Sequence, residues 1–487
     1  MALCTVVYAQ ERQAELLQPT TLQKKTYYVE PGSFGTKRET GKPEYVRNAS
    51  QFSGSDKNAT NWLDIGIESR GRVEFRKNDI RRPESFNEDI PLLIRHKVYF
   101  GINKILDPLR LSFEFGDSRR YFGHYALETR EVNRMELMQG FGELNFNHAF
   151  KKDPLGNVRP LSIRFGRMAF DFLDRRLICM NSWRNTAGNF TGIKIAIGQD
   201  ANDWQIDGLI LKPILIKMDQ PDKTDGHRLL LSAIGHWRKW SDIITIEPYY
   251  LRLDQSPAVE NNYKQRKIHS LGMRLYGWNQ NSTINFDVSS TYQFGNDDGL
   301  KQQAWALNSE MGYTFKSNRL KPRISAFIGY VSGDKNPNDQ ISNRFERYFG
   351  FSRPWSSDDY VVMENIFTPK IKVEWQAKVK HMNFKFDSGY SFYWLASKTD
   401  RLNNLLAGSA YNRDKTGNSG GFLGHGLDFR TRFNPSAYLT ANFGFTHYTM
   451  GTFIKQQEES ANNESANNSN FVYLELTINA FDLLKKH

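Results

Sequence analysis

The sequence is poor in cysteine and in long hydrophobic runs. Its 487 residues include 2 cysteines, Cys4 and Cys179, which excludes a disulfide framework and a Cys-based zinc module. No uncharged apolar run reaches the roughly 18 residues that a transmembrane helix requires. The HExxH and P-loop motifs are also missing. We therefore expect no enzymatic activity, no metal site and no cofactor.

Charge of one sign does not accumulate in any segment. Lys and Arg total 65 against 53 Asp and Glu, which gives a net charge of +12. The basic residues are interleaved with acids along the whole chain and form no stripe on a helix, which argues against a nucleic-acid partner. The remaining explanations are an ordinary basic surface, a membrane surface or an acidic substrate.

Alternation with a period of two is the dominant pattern, in a chain of which 14% is aromatic. From residue 63 to 76 the odd positions are mostly apolar and the even positions are mostly charged, so a strand there has one apolar and one charged face. The same alternation recurs at 110–115, 284–294, 371–376, 384–394 and 472–480. Several segments reach about ten residues, the length of a tilted strand that crosses a bilayer. The pattern predicts an all-β, antiparallel transmembrane barrel of about 16–18 strands with long external loops and an aqueous channel instead of a packed core.

The chain ends suggest a division into four parts. Residues 1–9 resemble the remnant of a signal peptide, and residues 10–60 form a polar arm that is unstructured or lies in the pore. Residues 61–481 are expected to form the barrel, and residues 482–487 a C-terminal tail. External loops are expected at 219–226, at 398–421 and at the repeat that spans 459–468.

Short motifs in the barrel region resemble the alginate-export family of outer-membrane porins. They are RFGR at 164–167, DRRL at 174–177, WRNT at 183–186, FTGI at 190–193, GYVSGDKNPND at 329–339, GHGLD at 424–428, FGFTHY at 443–448 and YLELTIN at 473–479. They follow the order of the family's motifs. The resemblance implies a passive channel in the outer membrane of a Gram-negative bacterium.

The candidate pore-lining residues are mostly arginines on the polar face of the strands. They are Arg70, Arg72, Glu74, Arg76, Arg110, Arg164, Arg167, Asp428, Arg430 and Arg432. A row of guanidinium groups favours an anion and repels cations, whereas the alternative for each residue is an ordinary solvated barrel wall. The family resemblance assigns a pore arginine to the positions of Arg70 and Arg167.

Arg167 is the exception to the alternation, since it shares the parity of the apolar Ile163 and Phe165. We expect the strand to bend or end at Gly166 so that Arg167 turns inward. The alternative is an arginine at the membrane interface.

The sequence thus predicts a channel for an anionic solute, such as the polyuronate of the alginate exporters. The alternatives are a general porin for small acids or nutrients, a barrel hydrolase with a Ser–His pair, and a barrel whose loops bind a partner. Expected partners are an acidic polysaccharide or another anionic solute, outer-membrane lipid and lipopolysaccharide, and periplasmic export or assembly proteins.

Overall fold

The strands close into one barrel. The computed structural model describes residues 26–33, 35–36, 41–52, 59–82, 87–336, 338–380, 382–403, 413–462 and 466–484. Within these residues lie 18 long antiparallel strands, which confirms the predicted all-β barrel. They are β1 (Leu63–Lys77), β2 (Leu92–Ile102), β3 (Leu109–Tyr121), β4 (Asn133–Phe150), β5 (Arg159–Met168), β6 (Phe190–Ile197), β7 (Trp204–Leu215), β8 (Arg228–Trp237), β9 (Ile244–Gln255), β10 (Arg266–Trp278), β11 (Ile284–Asp297), β12 (Leu300–Thr314), β13 (Arg323–Val331), β14 (Ile366–Val379), β15 (Met382–Trp394), β16 (Phe422–Phe433), β17 (Leu439–Met450) and β18 (Ser469–Asn479). Pairing of β18 with β1, for example Ile478 with Ser69, closes the ring.

Alternation along each strand separates a lipid face from a lumen face. On β1 the side chains of Ile67 and Val73 point outward and are exposed, whereas Arg70 and Arg72 point inward and are buried. Successive side chains of a strand point to opposite faces, so the charged positions of the sequence line the inside.

The two ends of the barrel carry connections of different length. At one end eight turns of two to eight residues join the strands, and there β1 begins and β18 ends. At the other end most connections are longer, up to the 34 residues of 332–365. Barrels of the outer membrane have short periplasmic turns and long extracellular loops, which orients the molecule.

Two of the long connections fold into the lumen. Segments 169–189 and 332–365 pack their apolar side chains against inward-facing residues of β7 to β9, β12 and β13, and the cluster continues onto β4 to β6 and β14 to β17. This internal core includes Phe172, Leu177, Ile178, Leu209, Leu230, Leu251, Trp355, Tyr360 and Met363. The expectation of a channel without a packed core is therefore wrong for one side of the barrel, because the inserted loops bring apolar residues that the strand alternation does not reveal.

The described part of the N-terminal arm crosses the periplasmic end. The Tyr45 hydroxyl donates to Glu114 on β3 at 2.7 Å, and Trp278 at the end of β10 donates to the Glu30 carbonyl at 2.9 Å. Lys372 on β14 donates to Ser33 at 2.7 Å, so the arm contacts widely separated strands. The predicted signal remnant 1–9, residues 10–25 and the end of the tail, 485–487, lie outside the described residues.

One α-helix, α1 (Thr452–Asn462), lies in the connection between β17 and β18 in the described part of the chain. No helix there is long and apolar enough to span a membrane.

Candidate functional site

A charged cavity of about 350 Å³ occupies the lumen beside the inserted loops. Its wall comes from the lumen faces of β1 to β4 and β12 to β18, and the arm contributes Pro43 and Tyr45. Ten Lys and Arg side chains and eight Asp and Glu side chains line it, so the lining has a net positive charge. A second cavity of about 430 Å³ shares Pro43, Gln139 and Met180 with the first and extends toward the periplasmic turn 198–203.

Most charges in this wall are paired across neighbouring strands. Arg95 donates to Glu68 at 2.9 Å, and Lys97 lies 3.2 Å from Glu114. Farther around the barrel, further pairs join Lys372 to Glu310 at 2.8 Å, Lys370 to Asp428 at 3.5 Å and Arg430 to Asp387 at 2.9 Å. The pairs hold long side chains in fixed positions, and they reduce the net field of the wall to that of its unpaired cations.

Wall arginines anchor the inserted segment 169–189. Arg70 donates to the carbonyls of Ser182 and Arg184 at 2.9 and 2.8 Å, and Arg95 donates to the same two carbonyls. The side-chain amide of Asn185 donates to the backbone carbonyls of Ile94, Arg119 and Glu131. These bonds satisfy loop carbonyls that would otherwise be buried without partners.

Trp183 is clamped between two arginines. The guanidinium carbon of Arg72 lies 3.9 Å from the centre of the indole, and that of Arg353 lies 3.5 Å from it. An aromatic face attracts a guanidinium, so Trp183 holds Arg353 at the edge of the cavity.

Two cations in the cavity lining lack a carboxylate partner within the described residues. Arg353 is 9% exposed, and its Nη1 has no hydrogen-bond partner. Arg432 on β16 has a buried Nε without a partner. No carboxylate of the described residues lies within 4 Å of either group, although neighbouring Arg430 is paired. Arg353 still interacts electrostatically with Asp359, and Arg432 with Asp387, so part of their charge is available to a solute.

The predicted pore residues fall into several groups. Arg70, Asp428, Arg430 and Arg432 line the central cavity, and Arg164 lines the second one. Arg164 is held by Glu143, with 2.6 Å between Nη2 and Oε2. Whether any of these residues contacts a solute stays a prediction.

Arg72, Glu74 and Arg76 face inward as expected, but the inserted loops cover them. They are 2, 5 and 6% exposed, and each is engaged in ion pairs within the wall. Arg72 donates to the carbonyl of Trp183 and Arg76 to that of Asp358, and none of the three lines the central cavity. Whether they contact a solute stays a prediction.

Arg110 and Arg167 lie away from the central cavity. Arg110 pairs in register with Glu143 near the periplasmic end of β3. Gly166 has a φ of +124° in agreement with a local distortion, but the Arg167 guanidinium donates to Glu136 at 2.6 Å and to the carbonyl of Asp222 at 3.2 Å. The Arg167 side chain thus lies at the extracellular rim and not in the central cavity. Asp222 of segment 216–227 is one of its hydrogen-bond partners, and the strand pattern does not predict this contact.

Sequence reasoning missed several residues of the cavity. Arg95, Lys97, Lys370 and Lys372 alternate with apolar neighbours, so the same pattern identifies them as lumen-facing. Arg353 gives no such signal, because it lies in an irregular loop whose path depends on the packing of the internal core.

Two loop carboxylates near the cavity behave differently. Burial raises the pKa of Asp358 to about 6, although a hydrogen bond from Ser356 opposes this shift. Burial acts on Asp359 in the same direction, but Arg353 and Arg81 outweigh it and lower the pKa of that carboxyl.

Burial lowers the pKa of Arg184 to about 10, and neighbouring Arg130 adds to this effect.

The outer wall contains two Ser–His contacts, although the sequence shows no Ser partner motif. Ser69 Oγ lies 2.9 Å from His96 Nδ1, and Ser256 Oγ lies 3.0 Å from His227 Nδ1. In the described residues neither imidazole forms an ion pair with a carboxylate, so the third member of a nucleophilic triad is missing. No group of three or more potential metal ligands occurs among the described residues.

Comparison with known proteins identifies the fold and the family. Among solved structures, the chain resembles OprD of Pseudomonas aeruginosa, with a TM-score of 0.54 and 8% identity over 86% of this chain and 93% of that chain. OccAB1 of Acinetobacter baumannii gives a TM-score of 0.53 and 9% identity over 86% of this chain and 96% of that chain. OccK1 (OpdK) of P. aeruginosa gives a TM-score of 0.53 and 8% identity over 86% of this chain and 98% of that chain. No curated protein sequence matches the chain.

The family comparison adds what the fold alone does not show. The family model for alginate export matches residues 61–468. The family and the structural neighbours are outer-membrane porins and not enzymes, which confirms the expectation of no enzymatic activity. The chain therefore belongs to the alginate export family and is a channel of the Gram-negative outer membrane.

Proposed function

We propose that this channel conducts an anionic solute, and that the solute is a polyuronate or a related acidic saccharide. The observation that carries the proposal is the pair of unpaired guanidinium groups, Arg353 and Arg432, in a lumen cavity with a net positive lining. A guanidinium offers several donors in a planar fork that fits a carboxylate, and each uronate unit carries one.

The paired charges around the two arginines favour passage of the solute through the channel and disfavour its tight binding in the cavity. Conduction requires that a solute enter favourably and leave again. Glu310, Asp387 and Asp428 neutralise their basic neighbours, so a carboxylate meets a few free cations and not a continuous positive wall.

Reversal potentials in planar bilayers test the proposal. With a KCl gradient across a single inserted channel, chloride should permeate better than potassium, and the preference should weaken at high salt as the charges are screened. Oligouronate added to one side should interrupt the chloride current, whereas a neutral oligosaccharide of equal length should not. A cation-selective channel that oligouronate does not block would refute the proposal.

A channel for small acids is the second candidate, and the size of the central cavity favours it. A volume of about 350 Å³ accommodates a solute of one or two sugar units, and the inserted loops border it. Liposome swelling separates the two candidates. Swelling with monomeric acids, combined with exclusion of oligouronates, would favour the small-acid channel.

A further inference from the structure

A separate basic cavity lies at the extracellular rim of the barrel, where side chains from both faces of the wall line it. It has a volume of about 420 Å³ and lies at the extracellular ends of β7 to β10. Five Lys and Arg side chains and a single carboxylate, Asp254, line it. The connections 216–227 and 256–265 lie next to it.

The pairing register shows which of these side chains point outward. One row across the sheet runs from Lys212 through Leu229 and Asp254 to Lys267, and Arg252 belongs to the row below. Lys212 shares the parity of the exposed Ile206 and Ile210, so this row lies on the lipid side. With a strand spacing of about 4.8 Å, Lys212 and Lys267 are about 14 Å apart.

The outward cations differ from the inward ones in their partners. Arg228 and Arg266 belong to the inner face and are tied to Asp225 and Asp297 at 2.6 and 2.7 Å. Arg252 forms an ion pair with Asp254, with 2.7 Å between Nη2 and Oδ2. Lys212 and Lys267 are exposed, and no carboxylate of the described residues lies within ion-pair distance of them.

The surface below the cations is mixed. Arg252 and Lys267 are followed toward the membrane centre by Tyr250 and His269, whose Oη and Nδ1 lie 2.6 Å apart. Apolar surface is provided by Ile210, below Lys212, and by Leu271, below His269, which are 48 and 62% exposed. A ligand that fits this surface carries anionic groups above and hydrocarbon chains below.

Aromatic side chains follow the neighbouring strands near this level. An aromatic belt follows β11 to β16, with Trp305 stacked on Tyr330 at 4.4 Å and Trp394 in contact with Phe367 and Phe422. Aromatic side chains are the usual residues at a membrane interface. These ring contacts continue below the cations, because His269 stacks on Phe294 at 5.1 Å and contacts Tyr250, so Arg252 and Lys267 lie on the extracellular side of interfacial rings.

We propose that this outer surface binds a phosphorylated glycolipid of the outer leaflet, of the lipopolysaccharide class. Lys212 and Lys267 contact its phosphate groups, Arg252 is held for the same purpose by Asp254, and the acyl chains lie along Ile210 and Leu271. Basic side chains at a membrane surface attract anionic headgroups, and the lipid-facing location distinguishes this ligand from the solute of the lumen.

Native mass spectrometry of the full-length channel in detergent tests the proposal. The probe is a bisphosphorylated lipid A, and the comparison ligand is the same glycolipid without phosphates. Replacing both lysines, Lys212→Gln with Lys267→Gln, should weaken binding of the phosphorylated lipid on the order of tenfold or more. The matched control is Lys151→Gln with Lys152→Gln, two exposed lysines in a periplasmic turn, and it should bind like the wild type.

Three results would overturn the proposal. They are equal binding by the variant and the control, equal binding of the dephosphorylated glycolipid, and displacement of the lipid by soluble oligouronate or inorganic phosphate. A folded variant is recognised by an unchanged shift between boiled and unboiled samples on a gel. If that variant loses lipid A but keeps its anion selectivity, the outer site is confirmed independently of the proposed function.

Discussion

Arg353 is the residue whose substitution tests the lumen most directly. Its guanidinium lies 3.5 Å from the Trp183 ring and lines the cavity without a carboxylate partner in the described residues. Replacing it by Gln removes one positive charge and keeps a polar side chain of similar length. We expect the fold to persist, because the barrel hydrogen bonds do not involve this loop side chain.

The size of the effect follows from Coulomb's law. An anion that passes about 4 Å from the guanidinium gains about 1 kcal/mol in bulk water and about 4 kcal/mol at an effective dielectric constant near 20. The smaller value applies to a fully hydrated path and therefore sets the minimum. A loss of about 1 kcal/mol lowers the chloride-to-potassium permeability ratio about fivefold.

Reversal potentials should be recorded near 0.1 M salt, where the screening length is about 10 Å. The matched control is Arg134→Gln, which changes the net charge equally at a side chain that is 52% exposed on the extracellular rim. An unchanged permeability ratio for Arg353→Gln, or an equal drop for both variants, would refute the assignment of Arg353 to the conduction path.

Further predictions concern the loops, the pH dependence and the arm. Arg70→Glu should raise the conductance noise and expose segment 169–189 to protease, because it replaces two carbonyl bonds by repulsion; an intact, protease-resistant loop would show that Arg70 does not anchor it. Asp358 favours its protonated form in the folded loop, so loop stability should fall as the pH rises from about 4 to about 6 and stay level above. The expected loss is about 3 kcal/mol, and Asp358→Asn should abolish the dependence in proteolysis measurements across that range. A chain that begins at Ala59 lacks the arm and should show a larger single-channel conductance; an equal conductance would mean that the arm does not restrict the periplasmic mouth. Circular dichroism in detergent should be dominated by β-structure, and a mainly helical spectrum would contradict the barrel.

The alternation of the sequence determined the barrel wall. In β1 nearly every second residue is charged, and charged side chains in lipid are costly. Only one orientation of the strand is therefore favourable, with Arg70 and Arg72 inside and Ile67 and Val73 outside. The same rule identifies Asp428, Arg430 and Arg432 as inward-facing. The approximate strand number also follows from the sequence. The 419 residues from 62 to 480, divided by the length of a membrane-spanning strand with its connection, allow few alternatives to the observed 18 strands.

Only the tertiary structure decided which inward-facing residues reach the lumen cavity. Arg72 and Arg430 have the same local pattern, yet Trp183 covers the first and leaves the second in the cavity lining. The path of segments 169–189 and 332–365 depends on long-range contacts with strands such as β7 to β9, β12 and β13, and a period of two carries no information about irregular segments. Arg353 could therefore not be found from the sequence, since its position results from an aromatic contact between two loops that are distant in the chain.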